Sequence, residues 1–189
     1  PIPRHQQREA AVAAALVIIL LEVIAAAPGA AAGGTGGGGR GKAKGKGNVA
    51  TNTPEFQITA PLGGVGEIGM NLNLYGHAGK WLMLDLGIAF GDDTMPGVEV
   101  IMPDPTFIEE RRRDLVGIVL THAHEDHLGA VADLWPRLKA PVYATPFAAS
   151  VLRRKLTQAG LLDAVRITEI PLRGKFSLGP FDLEMITMT

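Results

Sequence analysis

Three of the five histidines of the chain fall, with two carboxylates, within six consecutive positions of the segment Thr121-His122-Ala123-His124-Glu125-Asp126-His127-Leu128-Gly129. Residues two apart lie on one side of an extended segment, whereas on a helix they would stand about 200° apart. His122 and His124 therefore belong to extended chain and share a side. Asp126 and His127 fall where a helix begins near Leu128, so their side chains can turn towards a second ion close to the first. Neutral imidazole and carboxylate are good ligands for Zn²⁺, with Mn²⁺ or iron as further options. The chain has no cysteine, so thiolate ligands and disulfides are both ruled out. A lone histidine at a strand end is ordinarily a satisfied polar side chain, and Glu125 with Asp126 suits a helix cap. Glu125 is assigned to that structural role. The set His122, His124, Asp126 and His127 is read as metal ligands, because so dense a packing of imidazole and carboxylate is otherwise costly.

Two ions a few ångströms apart would lower the pKa of a bridging water from about 15.7 towards about 7 and clamp the attacking and leaving oxygens of a displacement. Hydrolysis of an ester, amide or phosphodiester is the chemistry expected. Asp126 would act as a ligand alone or as a ligand that also handles a proton on the nucleophile. Asp85, ending the run Trp81 to Asp85, would either orient a ligand histidine or cap a turn.

The elements that must position these residues follow from pattern. Phe56 to Ala60, Asn71 to Tyr75 and Trp81 to Leu86 are short apolar or alternating runs separated by glycines, and read as strands joined by tight turns. A Pro-marked loop around Met102 to Pro105, a short helix near Phe107 to Arg113 and the strand Val116 to Leu120 come next. Leu128 to Leu138 reads as a helix and Val142 to Ala144 as a strand. Pro146 to Ala159 reads as a helix opened by proline, and Val165 to Ile170 and Phe181 to Met188 as strands. Strands alternating with helices make the class α/β, with sheets buried beneath helices.

The 189 residues, 47% apolar and 20% charged, suffice for one domain with a core and an appendage. A net charge of -1 gives no global attraction to polyanions, so an anionic substrate must be held locally. The division expected is 1–54, an apolar segment plus a Gly/Lys-rich flexible linker, and 55–189, the ordered domain. Ala10 to Leu21 follows a basic start and resembles the h-region of an export signal, while falling short of the ~20 apolar residues of a spanning helix. A packed helix, or sequence upstream of the true start, remain open readings of it. Gly33 to Gly47 is a solvated linker by composition. Its Arg40, Lys42, Lys44 and Lys46 could also touch RNA phosphates nonspecifically.

THAHEDHLGA at Thr121 to Ala130 resembles the His-x-His-x-Asp-His signature of the metallo-β-lactamase superfamily. PLGGVGEIGMN at Pro61 to Asn71, LDLGIAF at Leu84 to Phe90 and MPD at Met102 to Asp104 narrow the resemblance to the ribonuclease J family, in the β-CASP branch. The resemblance implies the metallo-β-lactamase fold, an αββα sandwich, of which this chain would be the N-terminal part only. It implies two Zn²⁺ ions, with His122 and His124 matching ligands of one and Asp126 and His127 ligands of the other. Asp85 matches the acidic residue of the first superfamily motif. Gly63, Gly64 and Gly66 match a glycine loop near the active site, for which tight turning is explanation enough. The implied activity is cleavage of single-stranded RNA, as 5′-to-3′ exonuclease and endonuclease, in RNA processing and decay. A cytoplasmic location and a homo-oligomer of the full-length protein come with it, as does the absence of a stable membrane partner. Export remains the alternative if residues 10–27 are a targeting segment.

The family also supplies a further histidine ligand after the strand that here ends at Met188, then a bridging aspartate and a late histidine. No histidine follows His127 in this chain. The 189 residues are therefore read as the front of a longer protein, holding metal weakly and inactive or nearly so alone. No residue is assigned to substrate binding. Competing readings are another hydrolase of the superfamily, acting on a thioester, a lactam or a tRNA precursor, and a noncatalytic RNA-binding fragment.

Overall fold

The computed structural model describes residues 17–23, 58–63 and 69–187. The readings for the linker, for Gly64 and Gly66, for residues 56–57 and for Met188 lie outside these. In chain order the strands are β1 (Val17–Val23), β2 (Ile58–Gly63), β3 (Leu72–His77), β4 (Lys80–Leu84), β5 (Ala89–Phe90) and β6 (Val100–Ile101). Helix α1 (Thr106–Glu109), β7 (Leu115–Leu120), α2 (Glu125–Leu128), α3 (Val131–Leu138), β8 (Val142–Ala144) and α4 (Pro146–Gln158) follow. The chain continues through β9 (Ile167–Glu169), β10 (Lys175–Leu178) and β11 (Phe181–Thr187).

A six-stranded sheet has the order β2-β3-β4-β7-β8-β9. Its first three strands form an antiparallel meander, and β7, β8 and β9 are added in parallel. The β3–β4 hairpin turns on Ala78 and Gly79, both at positive φ, 48° and 73°. That is the signature of the two-residue turn whose twist matches paired strands.

Alternation along the central strands divides the core in two. Met83, Ile118 and Leu120 face a cluster with Ile108 of α1, Leu134 and Leu138 of α3, and Leu152 and Leu156 of α4. Their neighbours Leu82, Leu84 and Val119 face Leu178, Phe181, Leu183 and Met185 instead. The second set belongs to a three-stranded antiparallel sheet, β1-β11-β10. The described residues thus form helices on a sheet on a second sheet, the first three layers of the αββα sandwich.

Several boundaries differ from the sequence reading. The expected helix over Leu128 to Leu138 is two helices, α2 beginning earlier at Glu125 and α3 beginning at Val131. The break has a cause in hydrogen bonding: the Asp126 carbonyl accepts from the Asn71 main chain, and the His127 carbonyl from Leu86 N–H. Ala130 N–H donates to Leu86 rather than back to Asp126, so the helical ladder is interrupted. The helix expected over Phe107 to Arg113 is one turn, α1, because beyond it Arg111 and Arg112 N–H bond three residues back rather than four. Within the front apolar run, Val17–Val23 is a strand paired with β11, from Val17 opposite Thr187 to Val23 opposite Phe181. Among the described residues no helix is long and apolar enough to cross a membrane.

Candidate metal centre

Parallel neighbours β4 and β7 end side by side, with Leu84 opposite Val119. The residues that follow each strand therefore meet at one sheet end, Asp85 from β4 and Thr121 onward from β7. Carboxyl ends of parallel strands are where open α/β sheets collect their ligands. Asp85 is buried, with a left-handed φ of 61°, and its amide donates to the Val119 carbonyl at 2.9 Å. Its carboxylate receives the Thr121 backbone N–H at 2.8 Å and the Thr121 hydroxyl at 2.9 Å. It also lies 2.8 Å from Nδ1 of His127. Asp85 thus ties the end of β4 to β7 and holds one edge of the His127 imidazole.

His122 and His124 lie on the loop between β7 and α2, and the extended backbone of His124, ψ 152°, turns both rings to one side. Nε2 of His122 and Nδ1 of His124 are 3.1 Å apart. Asp126 and His127 lie within the single turn of α2, where Oδ2 and Nε2 are 3.3 Å apart. The two pairs adjoin, with the His122 and His127 ring centroids 3.9 Å apart. In a tetrahedral zinc site with bonds of about 2.05 Å, two ligand atoms lie about 3.3 Å apart, so each pair has the spacing of two ligands to one ion. Among the described residues no three histidine or carboxylate groups converge on one point. The residues fit two half-sites of two donors each.

Electrostatics separate the two inner histidines. Burial lowers the pKa of His122 below its ordinary 6.5, and the neighbouring His127 lowers it further. Burial also pulls on His127, but the hydrogen bond and charge of Asp85, joined by Asp126, outweigh it and raise its pKa. Glu125 does not cap the helix as expected: His124 holds the N-cap position with no side-chain capping bond, and the Glu125 carboxylate instead pairs with Lys155 of α4 at 2.8 Å.

The backbone around the site is built to close tolerance. A Cβ at Gly87 would overlap the Asp126 carbonyl, and one at Gly63 would overlap the Met70 carbonyl next to Asn71. Two participants were not assigned from sequence. Thr121 bridges Asp85 and Nδ1 of His122, the latter at 2.9 Å. Asn71 places its side-chain amide beside Asp126 and His127. In the sequence it is the last residue of the glycine-rich motif and the first of the expected strand, neither of which marks it for the site.

The Beta-lactamase superfamily domain is matched over residues 93–189. Ribonuclease J of Sinorhizobium meliloti is 44% identical over 149 residues, covering 77% of this chain and 26% of that protein. Ribonuclease J of Synechocystis is 39% identical over 141 residues, covering 74% of this chain and 22% of that one. The chain spans about a quarter of the length of these curated relatives. Among solved structures, a B3 metallo-β-lactamase with an active-site glutamic acid aligns with a TM-score of 0.42 at 19% identity, covering 64% of this chain and 46% of that one. By the matched domain and the shared sequence together, the chain belongs to the β-lactamase superfamily and, within it, is similar to ribonuclease J.

Proposed function

We propose that this chain contributes part of the metal site of a ribonuclease that cleaves single-stranded RNA, as 5′-to-3′ exonuclease and endonuclease, in the cytoplasm. The observation that carries the reading is the pair of donor spacings, His122 to His124 and Asp126 to His127, on a chain similar to ribonuclease J. His122 and His124 would hold one Zn²⁺ and Asp126 and His127 the other, with Mn²⁺ as a substitute. Bound there, the ions would supply a nucleophilic hydroxide at neutral pH and charge neutralisation at phosphorus. Asp85 keeps the His127 ring turned so that Nδ1 faces the carboxylate and Nε2 faces the site. Thr121 performs the same office for His122. Asp126, on the rim of the site, is the group placed to accept a proton from a nucleophile. Among the described residues each ion finds two donors, fewer than the three protein ligands of a typical catalytic zinc site, so the chain alone should cleave RNA slowly or not at all.

The test is a chimera in which residues 58–187 replace the matching segment of the Sinorhizobium meliloti protein. Cleavage of 5′-labelled single-stranded RNA by the chimera, and its loss in Asp126→Asn, is the expected result. A folded chimera that ignores RNA but hydrolyses a thioester or a β-lactam would move the function to another hydrolase of the superfamily.

A further inference from the structure

The side chain of Asn71, the residue before β3, reaches the Asp126–His127 pair. Its Nδ2 lies 3.0 Å from the Asp126 carbonyl oxygen, 3.4 Å from Asp126 Oδ2 and 3.2 Å from His127 Nε2. Two of these three atoms are oxygens that only accept, so the amide must present its NH₂ end here. One hydrogen satisfies the carbonyl, and the other is left for the gap between Oδ2 and Nε2. The Asn71 main chain is fixed independently, since its N–H also donates to the Asp126 carbonyl and its own carbonyl accepts from Gly87 N–H, each at 3.0 Å.

These contacts bear on which nitrogen of His127 carries hydrogen. A neutral imidazole has one N–H, and two carboxylates compete for it. Asp85 lies 2.8 Å from Nδ1, and Asp126 Oδ2 lies 3.3 Å from Nε2. A hydrogen drawn to Nε2 by Asp126 would block the lone pair that a metal ion needs. The Asn71 amide donates to that same edge, which places hydrogen on the acceptors from outside and leaves the ring hydrogen at Nδ1, facing Asp85.

We propose that Asn71 is a positioning residue for the second metal half-site. Its amide lies between Asp126 Oδ2 and His127 Nε2 and, by donating there, keeps Nε2 without a hydrogen of its own. This rests on the metal reading above and deepens it, since it names the group that prepares the site. It also gives a use to the Asn that closes the glycine-rich stretch.

The test is ¹⁵N imidazole NMR of the metal-free chain at alkaline pH, paired with zinc titration, for the wild type, Asn71→Leu and Asn71→Asp. The wild type should show His127 as the Nδ1–H tautomer. Asn71→Leu, which keeps the bulk and loses the donor, should show a mixture with Nε2–H and bind zinc about 10- to 100-fold more weakly at this half-site. Asn71→Asp keeps the shape and puts a second acceptor at Nε2, and should favour Nε2–H outright. If His127 keeps one tautomer in all three proteins, the proposal is wrong. Equal zinc affinity in the wild type and Asn71→Leu contradicts the role of Asn71 alone. A wild type that takes up no zinc contradicts the metal reading and takes this proposal with it.

Discussion

At the scale of single residues, neighbouring imidazoles have opposite environments. His122, buried and close to another imidazole, has its pKa lowered from 6.5, while Asp85 and Asp126 raise that of His127. The two make opposite contributions to the stability of the metal-free chain. His127 binds its proton more tightly folded than unfolded, so its contribution is fully present below pH 6.5 and is lost as pH rises through its folded value. His122 binds its proton less tightly folded, so its contribution is present above 6.5 and is lost as pH falls through its folded value. Proton NMR of the metal-free chain should therefore find the His127 ring titrating at higher pH than the His122 ring. The reverse order would mean that Asp85 does not hold His127 as described. The four donors were legible in the sequence because their types and spacing are improbable without a shared task. Asn71 was not, because a lone asparagine beside a turn has many ordinary uses and its partners lie 55 and 56 positions away.

Elements position the site through backbone more than through side chains. The Asp126 and His127 carbonyls are diverted from the helical ladder to Asn71 and Leu86, which is why a single helix could not run to Leu138. Apolar periodicity reports burial, and burial continues across the break at Gly129 and Ala130, so the pattern gave no sign of it. Val142–Ala144 is legible to the residue, because a proline before it and a Thr-Pro helix start after it bound the strand chemically. The two-residue strands β5 and β6 leave no signature in the sequence because two residues show no period. The closeness of Gly87 to α2 yields a prediction. A Cβ there meets the main chain of Asp126, which cannot rotate away, so Gly87→Ala should cost about 3 kcal/mol in urea unfolding. At Gly79 the φ is 73° but no atom lies near, and Gly79→Ala should cost only about 1 kcal/mol. Equal losses at the two positions would show that α2 does not pack on Gly87.

The whole molecule is held by two cores on opposite faces of one sheet. Helices cover one face, and the sheet containing β10 and β11 covers the other through Phe181, Leu183 and Met185. The α/β class was legible from the alternation of elements. The second sheet was only half legible: β11 alternates apolar and polar residues from Phe181 to Met185, but its partner β1 comes from the opposite end of the sequence, and pairing over that distance leaves no local mark. Phe181 is fully buried between the sheets, so Phe181→Ala should cost about 3–5 kcal/mol. A loss below about 1 kcal/mol would indicate that the second sheet is not packed there. Because β4 and β7 contribute to both cores, that damage should reach the His122–His124 and Asp126–His127 pairs at their ends.

Zinc content, measured by elemental analysis of the chain equilibrated with zinc, tests the central claim most directly. The wild type should retain up to about two ions per chain, His124→Ala should lose one of them, and Asp126→Asn the other. No zinc in the wild type, or zinc unchanged by both substitutions, would contradict the assignment of His122, His124, Asp126 and His127 as a metal centre.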